Sequence, residues 1–365
     1  MTVPRLGPVL LLATVACSPV PEPQWLLGEP ELLALRLEVV AEGEASAPVA
    51  SPPADRRRSE MLPGDTALLR PWVTGATQVF AEETLDLAYF ACYATYCPSA
   101  VRSASAMEPC GDTVDLRSPV CFIGRGSGVE FTLPTEGLQA LFAGLTEIMA
   151  VGGLPGVGDT DACIAAVRAQ PFGELGDCML LTRYVAVGPR WVVTLLQAAD
   201  DGEELGGVDT DDDADSGTDT DDDRFVPPPE VYFEWPNFSP EAERFVMVVT
   251  RRGSSRAWDL RAGDRIAVRA RDRVALQMHP DPRDSQRYAT SIDDDGQVVR
   301  FEELVTQLWF ANHPAVGLEE EAAVAPVIDF EVPGDVPELR LDVRLDDGRG
   351  GVGWASLHFE VDATR

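Results

Sequence analysis

The sequence predicts a mainly β protein with two antiparallel β-sandwich domains, the first of which carries a small disulfide-rich helical insertion. Short runs in which apolar and polar residues alternate recur along most of the chain and are typical of half-buried strands. Two Asp-Gly pairs, Asp295-Gly296 and Asp347-Gly348, indicate tight hairpin turns. Six cysteines fall between residues 92 and 178, where one stretch also shows helical spacing.

The start of the chain has the pattern of a secretory signal. A short charged segment, Met1–Arg5, precedes an apolar run that ends at Ala16. Cys17 follows directly, as in a bacterial lipobox, so we expect cleavage after Ala16 and lipid on the Cys17 sulfur. Ordinary secretion with the same cleavage site is the alternative. The apolar run is about half as long as a membrane-spanning helix needs, and no transmembrane helix is predicted elsewhere.

The cysteine count fits this export signal. With lipid on one of the seven cysteines, an even number remains, namely Cys92, Cys97, Cys110, Cys121, Cys163 and Cys178. Three disulfides are therefore expected in an oxidising compartment, and the sequence leaves their connectivity open. Zinc binding is the alternative, but this segment has no Cys-x-x-Cys pair and no histidine.

Domain one is placed at residues 25–199, after the signal peptide at 1–16 and a lipid-anchored, proline-rich spacer at 17–24. Most of this domain shows the alternation that predicts strands. The predicted strands lie at 33–40, 66–74, 85–93, 129–133 and, with a turn at Gly188-Pro189, 180–197.

One part of domain one has a different period. Apolar residues from Leu138 to Met149 recur at helical spacing, which predicts a core-facing helix over 134–150 with Thr135 as its N-cap. Residues 151–158 are then predicted to form a glycine-rich loop. Thr160 is predicted to cap a second short helix, which contains Cys163.

An acidic, disordered linker is predicted at residues 200–229. Within it, the tract at 209–223 holds nine aspartates and no basic residue, and like charges this dense repel one another and cannot bury a core. Domain two follows at 230–365 and is expected to be a β-sandwich. Its predicted strands lie at 231–235, 244–250, 265–270, 274–278, 298–301, 304–311, 327–332, 338–345 and 352–361.

The charge of the chain limits its partners. Its formal net charge is −32, and all 29 basic residues are arginine. This acidity argues against a nucleic-acid partner, whose phosphates need a basic patch, and against docking on anionic lipid. A strongly acidic surface is more often a solubility feature than a binding site.

The C-terminal run Leu339–Val361 is similar to the last hairpin of Ig-like and PKD-like surface modules. Such modules recur in lipoproteins of predatory and soil deltaproteobacteria, which often also carry Asp-Thr-Asp tracts like the one at 209–223. The resemblance implies an Ig-like fold for the second domain and, in outline, for the first, together with a place at the cell surface. Ser18 follows Cys17. In this the chain resembles Gram-negative lipoproteins that are exported to the outer membrane, in which the residue after the cysteine is not Asp.

No coherent catalytic pattern is found. The three histidines, His279, His313 and His358, belong to no His-Glu-x-x-His motif and lie far from the cysteines, so they are expected at the surface or in turns. The segment Gly124–Gly128 is rich in glycine, but it lacks the Lys-Ser/Thr pair of a phosphate-binding loop. A hairpin turn is predicted there.

The aspartate tract contains weak calcium candidates. They recur every second residue and offer the oxygen ligands that Ca²⁺ prefers: Asp209, Asp211, Asp213 and Asp215. Their spacing does not fit an EF-hand loop, so a solvated spacer is the favoured interpretation. No cofactor is predicted.

We therefore expect a non-enzymatic lipoprotein of the outer membrane, anchored through Cys17 and facing the periplasm or the cell exterior. Its function would be to bind or scaffold a protein or glycan partner, which no motif identifies. The alternatives are a calcium-dependent adhesion module that uses the aspartate tract, and a secreted hydrolase with an unrecognised site.

Overall fold

The computed structural model describes residues 25–43, 52–93, 95–114, 118–134, 146–169, 175–187, 237–285, 287–292, 298–318 and 326–362. The N-terminal part contains the helices α1 (Cys97–Ser103) and α2 (Thr160–Ala169) and the strands β1 (Glu31–Ala41), β2 (Thr66–Thr74), β3 (Leu87–Tyr93), β4 (Val120–Gly126), β5 (Val129–Thr132), β6 (Thr146–Gly153) and β7 (Cys178–Tyr184). The C-terminal part contains β8 (Ala242–Arg251), β9 (Ser254–Leu260), β10 (Arg265–Arg269), β11 (Arg273–Pro280), β12 (Arg287–Ile292), β13 (Val298–Glu302), β14 (Thr306–Ala311), β15 (Val327–Glu331), β16 (Glu338–Asp346) and β17 (Val352–Asp362). The predicted mainly β class is confirmed.

Two antiparallel sheets face each other in the N-terminal part. One has the strand order β1-β2-β5 and the other the order β4-β3-β6-β7. Their facing side chains form one core that includes Leu35, Leu69, Tyr89 and Ile148. The helices α1 and α2 cover the opposite face of the four-stranded sheet, where they pack over Phe90. The N-terminal part is therefore a sandwich with a helical layer on one side.

The central strands of this arrangement are buried on both faces. In β3, Leu87, Tyr89 and Ala91 face the sandwich core, whereas Ala88 and Phe90 face the helices. The strand β6 alternates between the same two cores. Because both faces are covered, such strands are almost continuously apolar and lose the two-residue period of an ordinary strand.

A second sandwich forms in the C-terminal part. One sheet has the order β10-β17-β16-β14, in which β10 and β17 run parallel and the other neighbours antiparallel. The facing sheet has the antiparallel order β15-β11-β8-β9, and β12 and β13 pair separately as a two-stranded ribbon. The core between the sheets includes Phe245, Leu276, Trp309, Leu341 and Phe359.

Most predicted strands are confirmed to within a few residues, but β4, β9 and β12 were not predicted. Asp347-Gly348 lies in the β16–β17 connection as expected, and Gly348 has the positive φ, 73°, that a tight turn requires. The predicted strand at 231–235, the turn at Asp295-Gly296 and the turn at Gly188-Pro189 lie outside the described residues.

The helix predicted over 134–150 is wrong where the structure describes it. Residues 146–153 form β6, and 135–145 lie outside the described residues. Since β6 is buried on both faces, its unbroken apolar run imitates the stripe of a buried helix. The loop predicted over 151–158 is wrong at its first three residues, which end β6. There a side chain on Gly152 would collide with Leu87 of β3.

The segment Gly124–Gly128 is not the hairpin turn that was predicted. It carries the chain from β4 in one sheet to β5 in the other, so the two strands it joins are not hydrogen-bonded neighbours. Gly126 has a φ of 148°, and a Cβ atom on Gly128 would lie 2.9 Å from the Leu69 carbonyl oxygen. These glycines allow a sharp corner close against β2.

Thr160 was predicted to cap α2, but the structure shows that the cap is Asp159. The Oδ1 atom of Asp159 accepts a hydrogen bond from the amide of Asp161 at 2.9 Å. The Thr160 hydroxyl instead donates to the carbonyl oxygen of Asp86 at 2.6 Å. This bond links the start of α2 to the residue just before β3.

The two sandwiches stack through a shared buried seam. Trp72 on β2 lies parallel to Trp354 on β17, with ring centroids 5.5 Å apart, and edge-on to Phe310 on β14. Trp25, the first described residue, packs into the core of the C-terminal sandwich. The linker predicted at 200–229 lies outside the described residues, so the division into two domains stays a prediction.

A buried arginine of the C-terminal sandwich crosses this seam. The Nε atom of Arg340 donates to Asp342 Oδ2 at 3.1 Å, and its Nη2 donates to Thr74 Oγ1 at 2.7 Å and to the carbonyl oxygen of Gly75. Thr74 Oγ1 lies 3.0 Å from Asp342 Oδ2, so the carboxylate, the hydroxyl and the guanidinium form a closed triangle. Arg340, Asp342 and Thr74 are each at most 2% exposed.

A second arginine of the C-terminal sandwich pairs across the same seam. Arg349 binds Glu60 through two parallel hydrogen bonds, from Nε to Oε1 at 3.1 Å and from Nη2 to Oε2 at 2.9 Å. Both side chains are buried. This two-point geometry fixes the position of both groups, because a guanidinium and a carboxylate fit each other in one plane.

We predict that Arg340→Met destabilises the protein by about 3–5 kcal/mol, because it leaves the Asp342 carboxylate buried without its cation. The double variant Arg340→Met/Asp342→Leu should recover most of that loss, since neither charge of this pair then remains in the interior. Urea unfolding followed by tryptophan fluorescence measures both. The exposed pair Arg273–Asp329 provides the control, and Arg273→Met should cost less than about 1 kcal/mol. A loss for Arg340→Met as small as that of the control would contradict the prediction.

Candidate functional site

The structure brings all six cysteines of the described segments together in pairs. The disulfides are Cys92–Cys97, Cys110–Cys121 and Cys163–Cys178, with Cα atoms 5.2, 4.9 and 5.5 Å apart. The predicted three disulfides are confirmed, and the connectivity that the sequence left open joins each cysteine to its neighbour along the chain. The six sulfurs are therefore not free to bind zinc.

Two of these disulfides hold the helical layer on the sheet. Cys92–Cys97 ties the first residue of α1 to the end of β3, and Cys163–Cys178 ties α2 to the start of β7. Both bonds lie beside the small core under the helices. Short helices are marginally stable on their own, so covalent links to the sheet stabilise this layer.

Several predicted site residues lie outside the described residues. They are Cys17, Asp209, Asp211, Asp213 and Asp215. Among the side chains that the structure does describe, no three His, Cys, Asp or Glu groups are close enough together to hold a metal ion. In the same part of the chain, no helix combines the length and the apolarity that a membrane crossing requires.

The histidines lie on strands near the surface and in a turn. On β17, the Nδ1 atom of His358 lies 3.1 Å from Glu338 Oε1, on the face opposite the core. His313 starts a short 3₁₀ turn, in which its Nδ1 accepts a hydrogen bond from the amide of Ala315 at 3.2 Å. His279 is half-buried on β11. None belongs to a metal-binding cluster among the described residues.

A cleft of about 530 Å³ opens at one side of the C-terminal sandwich, between the edge strands β9 and β10. We refer to it as the edge cleft. Its floor consists of buried core side chains that line the cleft from both sheets: Met247, Val249, Ile266 and Val268. Its rim includes Arg251, Arg256, Trp258 and Arg265, together with the acid Asp272.

The rim side chains are held to different degrees. The Arg256 guanidinium lies over the Trp258 ring at 5.1 Å from its centroid, and Trp258 packs partly against the core. Arg251 donates from Nε to Asp272 Oδ1 at 2.7 Å and is thereby fixed. Arg265 is mostly exposed, with its Nη1 3.7 Å from Glu338 Oε1, a distance at which an exposed pair contributes little. Arg256 therefore offers the rim an exposed cation on an aromatic support.

The charge around the edge cleft is opposite to that of the whole protein. Residues 244–273, which span β8 to the start of β11, hold nine arginines and three aspartates, a formal charge of +6 in a chain of −32. Of these, Arg251, Arg256, Arg265 and Asp272 line the cleft itself and give it a formal charge of +2, and charges on one concave surface act together on an approaching ligand. The cleft can therefore attract an anion, whereas most of the protein repels one.

The outer edge of β9 presents unpaired main-chain groups. The β8–β9 hairpin closes with Arg251 opposite Ser254, and its two turn residues, Arg252 and Gly253, have positive φ values of 48° and 80°. In such a hairpin the closing pair is hydrogen-bonded and pairs alternate from there. The N–H and C=O groups that point away from β8 therefore belong to Ser255, Ala257 and Asp259, and no strand of the described residues lies beyond them.

A smaller cavity, of about 260 Å³, lies beside Arg349 where β7 approaches the β16–β17 turn. Burial raises the pKa of Asp347 at this turn to about 6. Its Oδ1 atom accepts hydrogen bonds from the amides of Arg349 and Gly351 at 2.8 and 2.7 Å. The polar groups here are bonded mainly to one another and to Glu60, so this cavity belongs to the seam.

A third buried arginine joins the two sandwiches from the N-terminal side. The Nη1 of Arg56 donates to the carbonyl oxygen of Ser239 at 2.8 Å, and its Nη2 lies 2.8 Å from Asp281 Oδ2 and 3.3 Å from Asp284 Oδ1. Burial raises the pKa of Asp284 to about 7, and the amide of Glu241 and the Arg56 cation counteract this only in part. One carboxyl of the seam therefore titrates near neutral pH.

The comparisons with known proteins give no match, since no family model, curated protein or solved structure is significantly similar to this chain.

Sequence reasoning missed the edge cleft for two reasons. The net charge of the whole chain hides a local excess of arginine, which a count over windows of the sequence would have revealed at 244–273. The strand β9 escaped prediction because Arg256 and Trp258 stand at its inward positions beside exposed polar residues, so the usual apolar alternation is absent.

Removal of the disulfides should destabilise the protein in the order of the loops that they close. The bonds Cys92–Cys97 and Cys163–Cys178 join residues 5 and 15 apart. In the chain-entropy account, the longer loop contributes about 3 kcal/mol and the shorter about 1 kcal/mol less. We expect Cys163→Ala/Cys178→Ala to lose more stability than Cys92→Ala/Cys97→Ala in urea unfolding. Equal losses, or the reverse order, would show that local packing and not loop closure sets the effect.

Stability should fall as the pH rises from about 4 to about 7, because Asp284 keeps its proton in the fold over a range in which the unfolded chain releases it. One such group changes the free energy of unfolding by up to about 1.4 kcal/mol per pH unit. Asp284 faces Arg56, Asp281 and Glu241, and its replacement in Asp284→Asn removes this titration while it keeps an acceptor for the Glu241 amide.

Urea unfolding at several pH values between 4.5 and 7.5, in the range set by the pKa of about 7, measures the effect. The Asp284→Asn variant should show a shallower slope than the native protein, and the remaining slope belongs in part to Asp347. The exposed Asp112→Asn variant serves as the control and should keep the native slope. If the free energy of unfolding of Asp284→Asn changed with pH as steeply as that of the native protein, Asp284 would not be the group responsible.

Proposed function

We propose that this chain is an exported lipoprotein that binds or scaffolds a partner at the bacterial cell surface and performs no chemistry of its own. The lipid would be carried by Cys17 and would anchor the protein in the outer membrane. The partner would be a protein or a glycan. This proposal combines the signal pattern of the sequence with the state of its cysteines.

The pairing of the cysteines is the observation that supports export most directly. All six cysteines after Cys17 form disulfides, each with a Cα separation in the usual range. Disulfides of this kind form and persist in oxidising compartments and are rare in the cytosol. Complete pairing also leaves Cys17 as the single cysteine without a partner in the sequence, which fits a sulfur reserved for lipid.

The stacking of the sandwiches supports a role in binding or scaffolding. Arg56, Arg340 and Arg349 are buried between the two sandwiches, so the seam excludes water and holds them as one unit. A rigid body positions its loops and edges for recognition. The edge cleft supplies a surface of this kind, and the resemblance of Leu339–Val361 to Ig-like surface modules agrees with such a role.

We expect the mature protein to incorporate labelled palmitate, and Cys17→Ser to abolish the label, because the proposed acylation needs that sulfur. The label is followed by gel autoradiography of the protein expressed in a Gram-negative host. The matched control is Cys110→Ser/Cys121→Ser, which removes two cysteines but should keep the label. Mass analysis of the mature N-terminus gives an independent reading. A label that persists in Cys17→Ser, or a mature N-terminus without fatty acid, would sink the lipoprotein proposal.

A further inference from the structure

We propose that the edge cleft binds an extended acidic segment of a partner protein, which adds to β9 as an extra strand. This inference rests on the proposed binding function and names the chemistry of its partner. The cleft combines an apolar floor, an arginine rim and an unpaired strand edge on one side of the C-terminal sandwich.

The floor of the cleft favours apolar side chains from the partner. Met247 and Val249 on β8 are buried, yet they also line the cleft, and Ile266 and Val268 complete the floor from the opposite sheet. Trp258 lies above this floor with part of its ring exposed. A volume of about 530 Å³ is large enough for a few side chains, so part of a partner could be shielded from water there.

The rim of the cleft favours acidic side chains. Arg256 has its guanidinium stacked on Trp258, and none of its donors is engaged by a carboxylate within the described residues. Arg251 and Arg265 line the same cleft with the single acid Asp272, which leaves an excess of positive charge there. An acidic ligand is repelled by most of this protein and attracted here, so charge would direct it to this one side.

The strand edge favours a polypeptide over other anions. The outward main-chain groups of Ser255, Ala257 and Asp259 offer donors and acceptors at the spacing of a β-strand. An extended peptide satisfies such groups in the recognised mode of strand addition. A nucleic acid offers phosphates to the arginines, but it has no regular donors and acceptors to pair with this edge.

The side-chain pattern of the partner follows from that of β9. Arg256 and Trp258 are two residues apart and share the cleft face, whereas Ala257 between them points to the other side. A strand added to β9 therefore presents every second side chain to the cleft. At these positions an acidic residue would meet Arg256 and an apolar one would meet Trp258.

The test uses the full mature chain and a labelled synthetic peptide that repeats Glu-Thr-Val-Thr, so that glutamate and valine take the cleft-facing positions in turn. Binding is followed by fluorescence anisotropy. Arg256→Glu should weaken it by about tenfold or more, and Trp258→Ala by a similar factor, since a charged and an aromatic contact are both lost. The matched control is Arg102→Glu, which changes the net charge equally at an exposed position of α1. Circular dichroism and the midpoint of thermal unfolding confirm that the variants are folded.

Three further ligands test separately the charge of the ligand, its main-chain hydrogen bonds and its class of polymer. A peptide with lysine in place of glutamate should bind at least about tenfold more weakly, because the rim is cationic. A peptide with methylated backbone nitrogens at alternate residues should lose binding, because strand addition needs those N–H groups. A single-stranded oligonucleotide with the same charge as the glutamate peptide should bind the native protein no more tightly than it binds the Arg256→Glu variant.

The proposal would be overturned if the glutamate and lysine peptides bound equally well, or if the methylated peptide kept its full affinity. It would also be overturned if Arg256→Glu and Trp258→Ala bound the peptide as tightly as the native protein does. Tight binding of the oligonucleotide alone would overturn it in favour of nucleic acid. Binding that appears only after the nine aspartates of 209–223 are changed to asparagine would overturn it in favour of the chain's own tract. These outcomes are independent of the palmitate label on Cys17, so the cleft and the lipoprotein proposals can fail separately.

Discussion

Guanidinium groups without access to water determine how the two sandwiches of this protein fit together. Arg56 reaches from the N-terminal sandwich to Ser239 and Asp281, while Arg340 and Arg349 reach in the opposite direction. A buried arginine must recover from the protein the hydrogen bonds it loses to water, and its planar donors fit few arrangements. Any other stacking of the sheets would leave a charge unpaired in the interior, so these side chains select one arrangement.

The net attraction across the seam comes mainly from apolar contact. Trp72, Trp354 and Phe310 bury large rings against one another, and such contacts contribute more than ion pairs whose desolvation offsets their attraction. The disulfides act elsewhere, within the N-terminal sandwich, and two of the three hold its helical layer. The protein is therefore closed by packing at its centre and by covalent links on one flank. A cleft stays open between β9 and β10, where Arg256 stands at an inward position.

Most strands with one solvated face could be predicted from the sequence, whereas of the two strands covered on both faces, β3 was predicted and β6 was not. The strand at 66–74 was predicted residue for residue, and its first five residues alternate between partly exposed and buried positions. The strand β6 was mistaken for a helix, since its apolar residues show no period when both faces are buried. The sequence predicted that there are three disulfides but not which cysteines they join. The edge cleft was not anticipated, because it depends on which two strands end up at the sheet edges.

The position of Trp25 has a consequence for the geometry at the membrane. Trp25 is inserted in the core of the C-terminal sandwich and lies only eight residues after Cys17. Eight residues span at most about 27 Å when fully extended. If lipid is attached at Cys17, Trp25 and the end of β14 that it contacts at Ala311 lie within that distance of the bilayer.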